Sequence, residues 1–369
     1  MPRLRETFAK EYKPSVSHAK NMTIYAERRK KVLALAKGKQ AVAMTGANLF
    51  YLTDFWGGGA AIVHPDRTVV ITSPLEVGRA EELGREVEVV GVKTWADVKR
   101  EVAKRVRRGG TIVDDDRDLR GLGKFMMKPD LFLEARRVKD VEEVQRIRKA
   151  SLGLDRIFDA LPRIIRPGKS EWQVAAEVIK MATLNELTPS GSDSALSATI
   201  IASGENGALP HSELTDRRIR HGDFVVADIF FRYRGYNSDE TRTFAVGRAS
   251  AEMKKHYGYV LEAQEEALGL VVPGTACRAV HNSAVAVLRR HRVDKYLNHS
   301  VGHGVGIDIH ELPAISRASR ATLLRNDIVT DEPGIYFPGK YGIRIEDTVK
   351  TDRKPVVLTK STKELVICG

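Results

Sequence analysis

Apolar and polar positions alternate along this chain with two different periods, and the first clear one is helical. "MTIYAERRKKVLALAK" at 22–37 spaces its apolar residues as an amphipathic helix does. "QAVAMTG", "NLFYLTDF", "AAIVHPD" and "RTVVITS" then read as short apolar strands broken by turn residues. Helices at "EVGRAEELG" and "TWADVKREVAKRVRRGG" flank two more strands, "VEVVGV" and "GTIVDDD". This alternation predicts a small α/β domain over residues 1–136. A long helical stretch, "KDVEEVQRIRKASLGLDRIFDALPRII", follows and is ended by "RPGKS". Ser170 is placed to N-cap the next helix, with Gln173 closing a capping box. From residue 195 ("ALSATIIASG") the texture changes to strands and tight turns, and two further helical regions cover 251–270 and 276–293. Residues 137–369 therefore read as an α+β domain.

Within that domain, charge appears where the strand pattern is otherwise apolar. "DFVVADIFFRYRGYNSDETRTFAV" reads as two strands around a turn at Arg234–Asn237, with Asp228 on the first and Asp239 on the second. An unpaired buried carboxylate is costly, so each needs a compensating cation or donor. Two explanations are open at this point. Asp239 can cap a turn while Asp228 pairs with an arginine, or both can face a metal ion. "DIVTDEPGIYFPGKYGIRIEDTV" repeats the pattern, two strands around a Pro/Gly loop carrying Glu332 and Glu346. Between the two hairpins lies "HSVGHGVGIDIHELP", three histidines among glycines. Two acid pairs and a glycine-flanked histidine are the inventory of a carboxylate-rich dinuclear centre. Hard oxygen ligands with one imidazole suit Mn²⁺, Co²⁺, Fe²⁺ or Zn²⁺. Bridging carboxylates hold two such ions about 3.5–4 Å apart, where a shared hydroxide is a nucleophile at neutral pH.

Two competing motifs are weaker. "WGGG" at 56–59 lacks the spacing and the following Lys-Ser/Thr of a phosphate loop and reads as a turn. His299 and His303 have the spacing of a helical zinc pair, but Val301, Gly302, Gly304 and Gly306 oppose a helix, which leaves His299 a structural role.

Composition narrows the classes further. Sixty basic residues against 48 acidic give a formal charge of +12 and a pI near 9.6. Such a surplus marks some nucleic-acid binders. Here the basic residues sit in "ERRKK", "KREVAKRVRRGG" and "EARRVKDVEEVQRIRKA", mixed with acids at helical spacing, so solvated helix faces explain them and nucleic acid is not expected as a partner. No apolar run is long enough for a membrane span, and "MPRLRETFAKEYKPSVSHAK" has no hydrophobic signal core. Cys277 and Cys368 are the only cysteines and have no ligand-like spacing. A cytoplasmic protein without a disulfide is expected.

The ordered set "SGENGALPHSE", "DIFFRYRGYNSDETRTF", "GHGVGIDIHELP", "DEPGIY" and "GIRIED" resembles the pita-bread metallopeptidases, the family of methionine aminopeptidase, aminopeptidase P and prolidase. "YNSDETRTF" with "GHGVGIDIHELP" is most similar to the prolidase and aminopeptidase P branch, as is the separate domain ahead of the motifs. The resemblance implies an α+β fold, with a C-terminal pita-bread catalytic domain preceded by a smaller α/β domain. It implies two divalent metal ions per chain, with Asp228 chelating one and Asp239 and Glu346 bridging both. His303 and Glu332 would complete the ligand set of the second ion, and Glu332 would also shuttle a proton from the bridging water to the leaving nitrogen. His211 and His310 match the family's two non-ligand histidines at the substrate. Arg344 and Thr241 match positions that orient ligand carboxylates, with Arg344 also on the substrate side. The implied reaction is cleavage of the bond between a first residue and a following proline, in dipeptides or short peptides, by a homodimer whose N-terminal domains approach the partner's active site. Two alternatives are an amide hydrolase of a non-peptide substrate on the same scaffold and a catalytically silent binding module. Two positions depart from the pattern: Phe230 stands where the family has glycine, and Ala314 where similar prolidases carry an arginine, with Arg317 and Arg320 following.

Overall fold

The computed structural model describes residues 23–106, 110–115, 125–190 and 199–369. The N-terminal stretch read above for a signal core, and the first four residues of "ALSATIIASG", lie outside these ranges.

The first region is a six-stranded mixed sheet built from β1 (Gln40–Ala43), β2 (Ala60–Val63), β3 (Thr68–Thr72), β4 (Val87–Gly91), β5 (Thr111–Val113) and β6 (Met126–Met127). Its strands run in the order β4-β3-β2-β1-β5-β6. Strand alternation sorts the side chains onto two faces. Val42, Ala60, Ile62, Val69 and Ile71 pack with Val98 and Val102 of α4 (Trp95–Arg105). Ala41, Ala43, Ala61, Val63 and Val70 share the other core with α1 (Ile24–Leu35), α2 (Gly46–Thr53) and α5 (Pro129–Arg137), while α3 (Pro74–Leu83) lies beside β4.

One expectation fails here. "NLFYLTDF", read as a strand, is the helix α2. Asn48 through Thr53 are all buried, so no polar face marks the helical period and a short apolar run reads equally well as either element. Tertiary contacts decide. The Asp114 carboxylate accepts from the Met44 and Thr45 amides and from Asn48 Nδ2, which organises the helix start. Asp54, in the left-handed region at φ 65°, closes the end by donating its amide to Phe50 O.

The second region begins with α6 (Val141–Ile164) and α7 (Glu171–Leu184), each opened by a capping box, Asp140 with Glu143 and Ser170 with Gln173. Ser170→Ala is expected to cost about 1 kcal/mol, read from urea denaturation. These helices cover the outer face of a sheet formed by β7 (Thr188–Pro189), β8 (Thr199–Ser203), β9 (Phe224–Tyr233) and β10 (Tyr236–Val246). Helices α8 (Ala251–Leu268) and α9 (Cys277–Arg290) cover a second sheet. It contains β11 (Gly302–Gly304), β12 (Glu311–Ile315), β13 (Ile328–Asp331), β16 (Asp347–Lys350) and β17 (Val356–Val357). Strands β14 (Gly334–Phe337) and β15 (Tyr341–Arg344) pair separately, and β18 (Ile367–Cys368) pairs with β10 at the edge of the sheet that holds β7 to β10.

The second hairpin therefore differs from the expected pair of uninterrupted strands. β13–β16 form the outer rungs, β14–β15 the inner ones, and Glu332 and Glu346 occupy the joints between them. Pro333 supplies the reason, since it has no amide to continue the ladder. The joints turn both glutamates out of strand alternation and toward the first sheet.

Candidate metal centre

In the β9–β10 ladder Asp228 faces Thr241 and Phe230 faces Asp239. Cross-strand partners share a face, so these four side chains stand together. Ile229 and Phe231 point the other way, into the core under α6 and α7. From the second sheet, the Glu346 amide donates to Thr241 O at 3.1 Å, fastening the glutamate above this row. β11 brings His303, whose amide donates to Thr330 Oγ1. The glycines permit the approach: a Cβ on Gly302 would stand 2.2 Å from Thr330 O, and one on Gly306 2.4 Å from Glu311 Oε2.

Asp239, His303 and Glu346 each offer one ligand atom, and these atoms lie within 4.8 Å of one another. Glu332 Oε1 is 3.5 Å from His303 Nε2, and Asp239 Oδ2 is 3.8 Å from it. Asp228 is the exception to this convergence, because its Oδ2 is drawn into an ion pair with Arg344. The arginine pairing left open for Asp228 is thus present, and its Oδ1 is buried with no hydrogen-bond partner among the described residues.

His303 Nδ1 donates to Gly304 O at 3.1 Å, so the lone pair of Nε2 faces the carboxylates. Burial and the neighbouring His310 hold its imidazole down to about 3, in the neutral form a metal requires. Burial, and then repulsion from Asp228 and Glu332, push Asp239 well above the carboxylate range. Burial, and then Asp239, do the same to Glu346, and burial with Asp228 raises Glu332 to about 8. Three buried carboxylates and the half-buried Glu332 surround one guanidinium here, a balance that wants cations. Among the described residues Asp239 Oδ1 and Glu346 Oε1, like Asp228 Oδ1, are buried without a hydrogen-bond partner. An oxygen-rich set with one neutral imidazole and several unpartnered oxygens fits divalent ions of the Mn²⁺ or Co²⁺ type.

A supporting layer positions these groups. Thr241 Oγ1 donates to Glu346 Oε2 at 2.6 Å and accepts from Arg344 Nε at 3.2 Å. Arg344 Nη1 donates to the Tyr336 hydroxyl at 2.6 Å, and that hydroxyl meets His299 Nε2 at 2.9 Å. His299 Nδ1 donates to Ser300 O, so both its nitrogens are used away from the cluster. Burial holds it near 4, a neutral histidine. Tyr336 and Thr330 received no role from sequence. Tyr336 lies within "DEPGIY", but only the folded chain shows its hydroxyl joining Arg344 to His299.

The cluster opens into a cavity lined by Phe230, His211, His310 and Ala314. Both histidines are exposed at its rim, and the His310 ring stands 4.2 Å from that of His303. Burial, and then His211, lower the His310 imidazole. Arg317 and Arg320 are exposed and are not among the residues lining this cavity.

Known proteins are similar to this chain in sequence and in fold. The chain is 35% identical over 329 residues to the Xaa-Pro dipeptidase of Pyrococcus furiosus, covering 86% of this chain and 92% of that protein. Its fold is similar to that of the Xaa-Pro dipeptidase from Bacillus anthracis, with a TM-score of 0.85 at 29% identity over 93% of this chain and 99% of that one. The prolidase structure from Pyrococcus furiosus gives 0.82 at 32% identity, covering 90% and 99%. Residues 28–148 match the Creatinase/Prolidase N-terminal domain. Residues 145–352, more than half of the chain and all of the acid cluster, match the model of metallopeptidase family M24, and the chain belongs to that family.

Proposed function

We propose that this chain is a divalent-metal-dependent exopeptidase that hydrolyses the bond between a first residue and a following proline. The carrying observation is the convergence of Asp239, His303 and Glu346 on one point, with Glu332 beside it. We assign Asp228, Asp239, His303, Glu332 and Glu346 as ligands for two ions, with Mn²⁺ or Co²⁺ preferred and Zn²⁺ or Fe²⁺ accommodated. Bound there, the ions would supply an activated water and a Lewis acid for the scissile carbonyl.

The protein's own groups do the rest. Arg344 and Thr241 hold the Asp228 and Glu346 carboxylates in place. Glu332 takes a proton from the attacking water and delivers it to the proline nitrogen, which leaves poorly until protonated. His211 and His310 stand at the rim, where they contact the substrate and donate to the developing oxyanion. The division between domains is placed at 136/137, and the working form is a cytoplasmic homodimer.

Protein reconstituted with Mn²⁺ or Co²⁺ is expected to bind about two ions per chain and release proline from Met-Pro or Ala-Pro. Ion binding without proline release from any dipeptide or longer peptide would favour a non-peptide amide as substrate, and no ion binding would remove both enzymatic readings. Thr241→Val leaves the Glu346 carboxylate unsupported. It is expected to lower Mn²⁺ affinity about 10- to 100-fold in calorimetric titration.

A further inference from the structure

β9 continues past the metal cluster on the same face. Two residues beyond Phe230, Arg232 stands opposite Asn237 and lines a second cavity, of about 580 Å³, between the two regions of the chain. Its guanidinium lies 4.4 Å over the ring of Trp56, which is braced by Phe50 at 5.1 Å. Trp56 opens the "WGGG" segment, which carries no phosphate-loop spacing, and is the residue of it that lines this cavity.

The charge of Arg232 is not answered among the described residues. Among the described residues no carboxylate lies within 4 Å of it, its Nη1 is buried without a partner, and its Nε makes only a 3.4 Å contact to Thr188 Oγ1. Arg85, Arg146 and Arg234 line the same cavity, against the acids Asp54 and Glu142 alone. Both acids are taken by Arg146. Asp308, the one acid whose charge favours the Arg232 cation, is itself paired with Arg136. A half-buried cation with no counter-ion among the described residues is unfavourable in the free protein, and the open cavity beside it has room for an external anion.

Distance limits which anion. Asp228 and Arg232 are four residues apart on an extended strand, about 13 Å, and Phe230 stands between them. The carboxylate of a dipeptide stays beside the metals. A third residue carries the carboxylate roughly 3.5 Å further, past Phe230 and within reach of a guanidinium extended along the strand. We propose that this cavity receives the free C-terminal carboxylate of Xaa-Pro-Yaa tripeptides, gripped by Arg232 against Trp56. The assignment rests on the peptidase reading and names its substrate length.

The test compares Ala-Pro-Ala with its C-terminal amide, in binding and in turnover. With Mn²⁺-loaded protein, the acid is expected to exceed the amide roughly 10- to 100-fold in kcat/KM, through KM, as a charge-assisted pair would provide. Arg232→Gln should bring that ratio to about one, while Arg232→Lys, which keeps charge but not the planar stack, should retain part of it. Binding is read independently from quenching of Trp56 emission at millimolar peptide, with Trp56→Phe as the blank. Preferential quenching by the acid that Arg232→Gln removes, without turnover of either peptide, would keep the subsite and sink the peptidase reading. Equal binding of acid and amide, no binding of either, or equal losses for both on Arg232→Gln would overturn the subsite. Inorganic phosphate binding with the same Arg232 dependence, while acid and amide bind alike, would overturn it in favour of a free anion.

Discussion

Asp239→Asn is expected to reduce proline release on the order of 1000-fold and to lower bound Mn²⁺ from about two ions per chain to one or none. Asp239 reaches the cluster from β10, directly opposite Phe230, with one oxygen near His303 and the other buried and unpartnered. The amide keeps the size of the side chain, removes its charge and puts a donor on one of its two ligand positions. The fold should survive, because among the described residues Asp239 pairs with no lysine or arginine and its ladder contacts are backbone and Thr348 contacts. Thermal unfolding with and without Mn²⁺ separates the two effects. Ligand binding to the native state raises apparent stability by RT ln(1 + [L]/Kd), so the wild type should gain several degrees that the variant does not. A metal-free melting temperature near that of the wild type, or above it through relief of carboxylate repulsion, is the expected control. Retained turnover with two ions bound would remove Asp239 from the ligand set.

Glu311→Gln is expected to destabilise the protein by about 3–5 kcal/mol, the cost of leaving buried cations without their partner. Glu311 follows His310 in "HELP", yet its carboxylate faces away from the substrate cavity. Its oxygens meet Lys139 Nζ at 2.8 Å and Arg136 Nη2 at 3.0 Å. Arg136 keeps Asn48 and Asp308, whereas Glu311 is the one salt-bridge partner of the fully buried Lys139 side chain among the described residues. The pair ties the α5–α6 junction to β12, so its loss should also loosen His310 and lower activity. Urea denaturation of the metal-free protein measures the cost. Replacing Lys139 by Met in the same chain should restore much of it, since a buried pair is replaceable by apolar groups while a broken one is not.

Acidification provides a second check. Burial would raise the Glu311 carboxyl, but Lys139 and Arg136 outweigh burial and hold it below its ordinary 4.5. A carboxyl lowered by folding contributes stability that is complete above the unfolded value and is lost as pH falls through the folded one. The gap between wild type and Glu311→Gln should therefore be widest at neutral pH and narrow once pH drops below 4.5.

The candidate ligands were legible because strand alternation is a local property. Asp228 and Asp239 break apolar runs at positions that a hairpin must place on one face, and the glycines around His303 exclude a helix. The Ser170–Gln173 capping box, the central hairpin and the long helices follow from the same short-range spacing. α2 was not legible, because a run buried on every side loses the polar face that reveals its period. Nor were the joints at Glu332 and Glu346, where Pro333 interrupts a ladder that the pattern alone continues.

What the sequence by itself determined is the residue inventory and its local faces: which acids lie on which strand side, where helices begin, and which motifs the chain shares with a peptidase family. Only the tertiary structure decided which groups meet. Thr241 and Glu346 are 105 residues apart, Arg344 and Asp228 116, Lys139 and Glu311 172. Periodicity reports the conformation of a few consecutive residues, whereas these pairs are set by how two sheets and their covering helices exclude water together. The unanswered charge of Arg232 belongs to the same class, since a cation lacks a partner only relative to everything packed around it.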